Sequence, residues 1–483
     1  MSLSEVELFF FFPVVFAVYW LLPRRAVVQN VVLTTASLFF YATWNAKLLP
    51  LFLLSTLVDF AVLRAFARTP AAADDAPEDE RAKRTATRRR WLILSLVSNL
   101  VVLAGFKYVG AFNKLLALGL PPIALPLGIS FYTMSRLGVI IDTYYDRIPP
   151  VRSLLVWVTF TSFFPQLIAG PIGRTDLLEQ YEQPRRLEAS SALRALREVG
   201  VGFVLKVYVA AHASTWVNPV FAEPGVYTRK AHLLALIGYA TQVFADFAGY
   251  SLLALGVARA FAVSLPENFN FPFLSTNPME LWRRWHMSLN RWLFDYVYSF
   301  MVTGEGFMNG RLGLGLVIVM IVSGIWHGST WPYVVWGAMH GLWLFAHYRY
   351  DLHYKSLCRK DRTWVARRKS APYLALGWAA TIGFFIIALV PFRASSLGDA
   401  ATFFRGLVLG GGTETLDAGT MHPALAVLLV VLYHVQAMPF FDSVRARFTA
   451  APAPVRGLVL GLVVVFLMIF APVGAGTFIY AQF

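Results

Sequence analysis

Apolar residues occur in this chain as long uninterrupted runs, with few alternating apolar and polar positions. Examples are 7–22, 91–106, 372–391 and 456–472. A helix needs about 20 mostly apolar residues to cross a bilayer core, whereas a membrane β-barrel would show short alternating segments. The pattern therefore predicts an all-α polytopic membrane protein, with about 11 transmembrane helices plus re-entrant and interfacial helices.

Loops rich in Lys and Arg set the direction of these predicted spans. They are Arg24–Arg25, 64–90 and 349–369, and an excess of basic residues marks cytoplasmic loops. The N-terminus is then predicted outside, because the first span would run inward to Arg24–Arg25. Spans near 27–46 and 48–66 would return the chain to the second cytoplasmic loop.

The region between the second and third basic loops contains an odd number of apolar runs. They are 91–108, 125–145, 151–172, 197–217, 233–260, 312–326 and 332–349. Two cytoplasmic loops must be joined by an even number of spans, so at least one run does not cross. The Pro- and Gly-rich segments 121–135 and 312–349 are the candidates, since irregular backbone at membrane depth must be buried in protein or line a cavity.

No soluble domain, internal repeat or long linker interrupts this pattern. We therefore predict a single integral membrane domain over 1–483. Its N-terminal spans would occupy 1–120, with a cytoplasmic loop at 66–90, its core 121–350, and its C-terminal spans 351–483.

Composition and charge agree with a membrane protein surrounded by lipid. Hydrophobic residues make up 57% of the chain and charged residues only 14%, against about 25% charged in a typical soluble domain. The net charge of +15 does not indicate nucleic-acid binding, because the basic residues cluster in loops beside apolar runs. The lone Cys358 excludes a disulfide within the chain and does not favour a cysteine nucleophile.

The most polar segment inside the apolar region is 279–298, with three arginines, one histidine, three tryptophans and two tyrosines. Taken as one helix, it places Trp282 and Trp285 on a broad aromatic face and Arg284 on the opposite face. An interfacial helix with snorkelling arginines is one interpretation. The irregular segment 265–278, with three prolines and three asparagines, favours a site inside the protein.

Three of the nine histidines fall within 55 residues of one another: His286, His327 and His340. Gly328-Ser329-Thr330 predicts a helix break after His327, and Pro332 suits the first turn of the next helix. His340 would then lie roughly 12 Å along that helix, well inside the membrane. Ionisable residues at such depth are candidates for function. The spacing alone does not choose between His327 and His340.

A metal site is not predicted for these histidines. Their separations are not typical of ligand sets, and no carboxylate pattern accompanies them. Imidazole changes its charge near neutral pH, so a pocket that transfers protons fits them better.

Several segments together resemble the membrane-bound O-acyltransferases, in particular the bacterial branch that acts in alginate O-acetylation and in D-alanylation of teichoic acids. The matching segments are "LPLGISFYTMSRLGVIIDTYYDR" (125–147), "FFPQLIAGPI" (163–172), the segment 244–298 that contains "WRRWH", and "GIWHGSTWPYVVWGAMHG" (324–341), with weaker matches at 392–406 and 478–483.

The resemblance implies a fold, a reaction and roles for the histidines. Such proteins form a ring of tilted and re-entrant helices around a through-membrane tunnel and transfer an acyl group from a thioester to a hydroxyl. The family's catalytic histidine corresponds to His327 and its second motif position to His286. His340 matches a further histidine of the bacterial branch.

The resemblance also implies a supporting set. It comprises Asn290 beside His286, Asp246, and three tryptophans that would wall the tunnel, Trp285, Trp326 and Trp336, with plain packing as the alternative for each. Arg283 and Arg284 would meet the phosphates of coenzyme A or of a carrier's phosphopantetheine, with snorkelling as the alternative. The segment 245–254 reads "ADFAGYSLLA" where relatives often have "FDFSGYSDMA", which weakens a role for Asp246. The usual Gly-Gly-Asn loop is not found after Tyr298, which leaves the substrate open.

The resulting prediction is an O-acyltransferase of the bacterial inner membrane without a permanently bound cofactor. An acetyl group from cytoplasmic acetyl-CoA or an acyl-carrier thioester would cross the membrane for O-acetylation of an extracellular or periplasmic polysaccharide such as alginate, with help from an extracytoplasmic acyltransferase partner. The alternatives are D-alanyl transfer to teichoic acid type polymers, a transporter or channel with intramembrane histidines, and a non-catalytic scaffold.

Overall fold

The computed structural model describes residues 2–3, 7–73, 75–116, 119, 125–304, 306–416 and 421–470. Within these residues the protein is all-α, as predicted, and β-pairing is limited to isolated bridges, Tyr227–Glu414 and Phe269–Trp285. The weakly matching segment 478–483, and the first residues of the predicted re-entrant segment 121–135, lie outside this part of the chain.

Some helices of the described residues are long and apolar enough to cross a membrane by length and composition. They are Ala26–Arg68, Glu78–Gly110, Arg229–Ala260 and Ala371–Arg393, and the bent pair Met421–Val435 and Pro439–Phe448 would add a broken one. Other apolar helices, such as Glu7–Leu21 and Leu312–His327, are shorter than the roughly 20 residues of a full span. The protein is therefore polytopic, and the number of about 11 spans stays a prediction.

The chain divides into two compact units. That both belong to a single membrane domain over 1–483 stays a prediction. The first unit comprises Met1–Val199 and Tyr250–Pro266, and the second Gly200–Gly249 and Glu267–Phe483. The first contains helices α1 (Glu7–Leu21), α2 (Ala26–Asn45), α3 (Leu49–Arg68), α4 (Glu78–Leu116), α5 (Ile129–Tyr144), α6 (Leu154–Ser162), α7 (Phe164–Leu167), α8 (Asp176–Glu182) and most of α9 (Ala189–Phe203).

A buried ion pair stabilises the packing of α3, α4 and α5. Asp59 and Arg136 are both almost fully buried, and Arg136 Nε lies 3.4 Å from Asp59 Oδ2. The Ser95 hydroxyl and the Asn99 amide donate to the carboxylate, and Arg136 donates to the Asn99 carbonyl oxygen. Buried charges persist in apolar surroundings only when they are paired and hydrogen-bonded, and this network meets both needs.

Much of the segment 66–90 is helical, because α3 ends at Arg68 and α4 begins at Glu78; its cytoplasmic position stays a prediction. Arg88, predicted as a loop cation, is buried. It donates to the backbone oxygens of Thr69, Thr143 and Tyr144 at the ends of α3 and α5. Carbonyls at a helix C-terminus lack intrahelical partners and attract cations, so Arg88 ties these two helix ends together.

The second unit holds the polar segments that the sequence singled out. After the π-helical turn Val204–Val209, its helices are α10 (Ala210–Ala222), most of α11 (Arg229–Ala260), α12 (Pro278–Arg284), α13 (Met287–Leu293), α14 (Ser299–Thr303), α15 (Leu312–His327), α16 (Trp331–Lys360), α17 (Thr363–Arg368), α18 (Ala371–Arg393), α19 (Leu397–Leu409), α20 (Met421–Val435), α21 (Asp442–Ala450) and α22 (Ala453–Phe470).

Helices α15 and α16 form a close hairpin around the predicted break at 328–330. A Cβ on Gly324 would lie 2.2 Å from the Tyr333 backbone oxygen, and one on Gly337 would lie 2.4 Å from that of Met320. Glycine is thus required at both places for the two backbones to approach this closely. The hairpin places His327 at the end of one helix and His340 inside the other.

Candidate active site

His286 lies at a sharp change of chain direction. The prediction of one continuous helix over 279–298 is wrong, because α12 ends at Arg284 and α13 begins at Met287. Between them His286 adopts a left-handed backbone with φ 45° and ψ 53°. A non-glycine residue there costs on the order of 1–3 kcal/mol and is typical of functional sites.

Backbone pairing with the irregular segment 265–278 maintains this kink. Phe269 bridges Trp285 in antiparallel fashion. The Asn270 N–H donates to the Arg284 carbonyl at 3.0 Å, and the Met287 N–H donates to the Asn268 carbonyl at 2.9 Å. The segment rich in Pro and Asn therefore acts as a short strand partner for the residues around His286.

Two asparagine side chains reinforce the kink. The side-chain oxygen of Asn268, Oδ1, accepts from the Ser288 hydroxyl at 2.6 Å and from the Ser288 N–H at 3.3 Å. The Asn290 amide donates to the backbone oxygens of Trp282 and Trp285, at 2.7 and 2.5 Å. Asn290 was predicted to support His286. Its amide joins backbone oxygens on the α12 side of the kink to α13, and its support of a catalytic His286 stays a prediction.

The His286 imidazole is buried in the second unit. Its ring is perpendicular to that of Phe247, with 4.5 Å between centroids, and its centroid lies 6.1 Å from that of Trp326. Since Trp326 precedes His327 in α15, the kink and the end of α15 meet at this point.

The other two histidines both pack against the ring of Trp336. His327 and His340 are buried, and their ring centroids lie 5.2 and 5.0 Å from that of Trp336. The rings that join the three histidines form what we call the histidine cluster: His286, Trp326, His327, Trp336, His340 and Trp282. The structure thus brings together three imidazoles that the sequence separates by 41 and 13 positions.

Trp285 occupies different surroundings from the other predicted tunnel walls. Its ring packs against Phe385 with centroids 4.9 Å apart, against Phe269 at 5.1 Å, and against Phe273 at 6.2 Å. Phe385 in turn lies 6.0 Å from His340. Trp285 therefore belongs to a phenylalanine layer beside the histidine cluster, and its role as a tunnel wall stays a prediction.

Asp246 forms a buried ion pair with Lys206. Lys206 lies in the π-helical turn that precedes α10, and such turns are frequent near functional sites. Asp246 also precedes Phe247, which packs on His286. Lys206 was not predicted as a site residue, because the partner of a lysine within an apolar run becomes evident only when the helices are packed.

The two arginines of the "WRRWH" motif have different environments. Arg284 pairs with Glu280 at 2.8 Å and donates to the Asn270 carbonyl at 3.3 Å. Arg283 is exposed and, within the described residues, takes part in no ion pair. It lines a cavity of about 370 Å³ with walls largely of Met, Leu and aromatic side chains. Trp282 lines the same cavity, so the cavity reaches the histidine cluster.

Metal coordination has no geometric support in the described residues: no group of three or more His, Cys, Asp or Glu side chains there is arranged to hold an ion. The predicted absence of a metal stays a prediction.

Comparisons with known proteins agree with the resemblance drawn from the motifs. The model of the membrane-bound O-acyltransferase family matches residues 9–377. A probable alginate O-acetylase of Azotobacter vinelandii is 36% identical, covering 94% of this chain and 90% of that protein. A peptidoglycan O-acetyltransferase of Helicobacter pylori is 30% identical, covering 84% and 79%. A teichoic acid D-alanyltransferase of Streptococcus thermophilus is 31% identical, covering 54% and 65%. The chain belongs to the membrane-bound O-acyltransferase family.

Proposed function

We propose that this acyltransferase takes an acetyl group from a cytoplasmic thioester and passes it across the membrane for O-acetylation of an extracytoplasmic polysaccharide such as alginate. The observation that carries the proposal is the buried histidine cluster, in which His327 and His286 approach each other through Trp326. The names of the relatives that match most of the chain, an alginate O-acetylase and a peptidoglycan O-acetyltransferase, support acetyl transfer to a polysaccharide.

His327 is the proposed general base. The acceptor hydroxyl attacks the thioester carbonyl carbon while its proton moves to the His327 imidazole, and the carbonyl electron pair moves onto oxygen. When this intermediate collapses, the C–S bond breaks and His327 returns the proton to the departing sulfur. The net products are an ester and a thiol. A positioned base of this kind contributes typically about 10²–10⁴-fold in rate.

His286 is proposed to orient the acceptor hydroxyl or the reacting carbonyl. The kink supports this role, because the left-handed backbone and its hydrogen bonds to Asn268 and Asn290 restrict where the imidazole can lie. Rigid support of this kind is what precise positioning of reacting groups requires.

The donor is proposed to enter through the cavity beside Arg283. A phosphate of coenzyme A or of a carrier's phosphopantetheine would pair with this guanidinium, and the thioester arm would extend towards Trp282. Arg284 is the weaker candidate of the predicted pair, because its charge is already opposed by Glu280.

Family membership supports the remaining architecture that we propose. The chain 1–483 would form one membrane domain, with the core 121–350 as a ring of helices around a tunnel and about 11 spans in total. It would lie in the bacterial inner membrane with its N-terminus outside. A soluble acyltransferase outside the membrane would complete transfer to the polysaccharide.

D-alanyl transfer is the alternative within the family. The D-alanyltransferase of Streptococcus thermophilus covers 54% of this chain, against 94% for the alginate O-acetylase of Azotobacter vinelandii, and this difference favours acetyl transfer. A transporter or a non-catalytic scaffold would leave a thioester intact.

The test is thioester consumption by the purified protein in proteoliposomes. One arm supplies labelled acetyl-CoA and the other a carrier protein loaded with labelled acetyl-phosphopantetheine, each with an oligosaccharide acceptor. We expect His327→Ala to lose at least about 10²-fold in turnover while it stays folded. His353→Ala is the matched control, because His353 is exposed on α16. Near-normal turnover by folded His327→Ala would overturn the assignment.

A further inference from the structure

Three buried side chains of the histidine cluster have nitrogen atoms without a hydrogen-bond partner among the described residues. Trp282, Trp336 and His340 have exposed fractions of 9%, 3% and 0%. Within the described part of the chain, the indole nitrogens of both tryptophans and both ring nitrogens of His340 have no hydrogen-bond partner. Buried polar atoms are nearly always paired in native proteins, so a group of three indicates a place for a ligand atom.

These three side chains are mutual neighbours. The Trp282 and His340 centroids lie 5.0 Å apart, the Trp336 and His340 centroids 5.0 Å, and the two indoles 5.8 Å. Trp336 is also perpendicular to His327, with 5.2 Å between centroids. The unused groups are therefore concentrated beside the proposed base, and Trp336 contacts both histidines.

The chemistry of these groups defines the ligand. An indole N–H can only donate, and a neutral imidazole donates from one nitrogen. A set with two indole donors suits an oxygen that accepts several hydrogen bonds, and it does not suit an ammonium or another donor. During acyl transfer the thioester carbonyl oxygen is such an atom, and it accepts more strongly as it becomes an oxyanion.

We propose that Trp336 and Trp282, assisted by His340, donate hydrogen bonds to the carbonyl oxygen of the thioester and to the oxyanion of the tetrahedral intermediate. This inference rests on the proposed acyl transfer. When the acceptor oxygen bonds to the carbonyl carbon, the π electron pair of the C=O bond moves onto the carbonyl oxygen. The indole N–H groups stabilise the negative charge there. The pair returns when the C–S bond breaks, so the step needs no further reactant.

Two tryptophans elsewhere in the chain, Trp157 and Trp378, show the contrast. Trp157 donates to the Thr56 backbone oxygen at 2.9 Å, and Trp378 donates to that of Phe273 at 2.8 Å. Their indole nitrogens have structural acceptors within the protein. Trp378 therefore offers a matched control for a change that removes an N–H while keeping the ring.

The experiment replaces Trp336 by β-(3-benzothienyl)alanine, in which sulfur takes the place of the indole N–H at nearly constant shape. We expect kcat for acetyl transfer to fall about 10²–10³-fold, with little change in the KM for the donor or in the melting temperature. The same replacement at Trp378 should lower the melting temperature and leave kcat unchanged. A Trp336 analogue with kcat within about threefold of the unmodified enzyme would overturn the proposal.

A spectroscopic readout separates this inference from the proposed function. A donor analogue with CH₂ in place of the thioester sulfur, ¹³C-labelled at the carbonyl, should show a carbonyl stretch shifted to lower frequency when bound. The shift should persist in His327→Ala and be lost with the Trp336 analogue. If turnover depends on His327 but the protein with the Trp336 analogue still shows the full carbonyl shift, the oxyanion role is wrong and the proposed function stands. If neither the unmodified protein nor the variants consume thioester, the proposed function fails as well.

Discussion

The rings of His327 and Trp336 meet at an angle of 89°, with 5.2 Å between their centroids. The first ends α15 and the second lies in the first turns of α16, so the relationship depends on the close approach of the two helices. Any change that separates the helices should weaken activity before it unfolds the protein.

Gly337→Ala should act in this way. The added Cβ would meet the Met320 backbone oxygen at 2.4 Å, and overpacking typically costs about 1–3 kcal/mol. We expect a lower melting temperature together with reduced turnover in proteoliposomes. Gly383→Ala, within α18, is the control. Apart from its own helical turn, no atom of the described residues lies within 4 Å of the added Cβ, and alanine favours helix. Equal effects of the two substitutions would contradict the prediction.

Substitutions of His286 should reveal the cost of its left-handed backbone. Both His286→Ala and His286→Gly remove the imidazole, but only glycine adopts this conformation without strain. We expect the glycine variant to exceed the alanine variant in stability by about 1 kcal/mol, the reverse of the usual order in helices. Chemical unfolding of both variants in detergent measures the difference, and both should be inactive. An alanine variant of higher stability would show that the kink is not strained.

Arg283 and Arg284 should respond differently to the loss of charge. Arg283→Gln should raise the KM for the donor about tenfold with little change in kcat, because it removes binding that is equal in the ground and transition states. High salt should reduce the difference from the unmodified enzyme. Arg284→Gln removes a partly exposed ion pair worth about 0–1 kcal/mol and should leave the donor KM nearly unchanged. Similar KM values for both variants would remove Arg283 from the donor site.

The buried pair of Lys206 and Asp246 lends itself to a double-mutant cycle. Lys206→Met alone and Asp246→Asn alone each remove one side of the buried ion pair, and breaking a buried pair in this way costs about 3–5 kcal/mol. The double variant should recover most of that loss. Thermal unfolding of the four proteins gives the coupling free energy, and additive losses would indicate that the two side chains do not interact.

The histidine cluster could be predicted from the sequence to a large extent. The break at 328–330 and the helical positions of His327 and His340 follow from local rules for Gly and Pro. Their association with His286 came from the family motifs, and the ring contacts agree with it. Trp282 was assigned only to an aromatic face, since its neighbours in space lie on α16.

The kink at His286 could not be predicted from local pattern. A helical wheel assumes a constant 100° per residue, and 279–298 satisfies it well enough to read as one helix. The actual break depends on backbone pairing with Asn268 and Asn270. These residues lie outside the segment 279–298, so its helical periodicity contains no information about them. Arg88 illustrates the same limit, because its burial depends on carbonyls contributed by two other helices.

The pairing of 268–270 with 284–288 makes the orientation of His286 a property of residues up to 18 positions upstream. Changes in this upstream segment can therefore reorient the His286 imidazole while the "WRRWH" motif itself stays unchanged. Relatives with identical motifs but a lengthened or shortened upstream segment would present that side chain at a different angle, and so favour acceptors of a different shape.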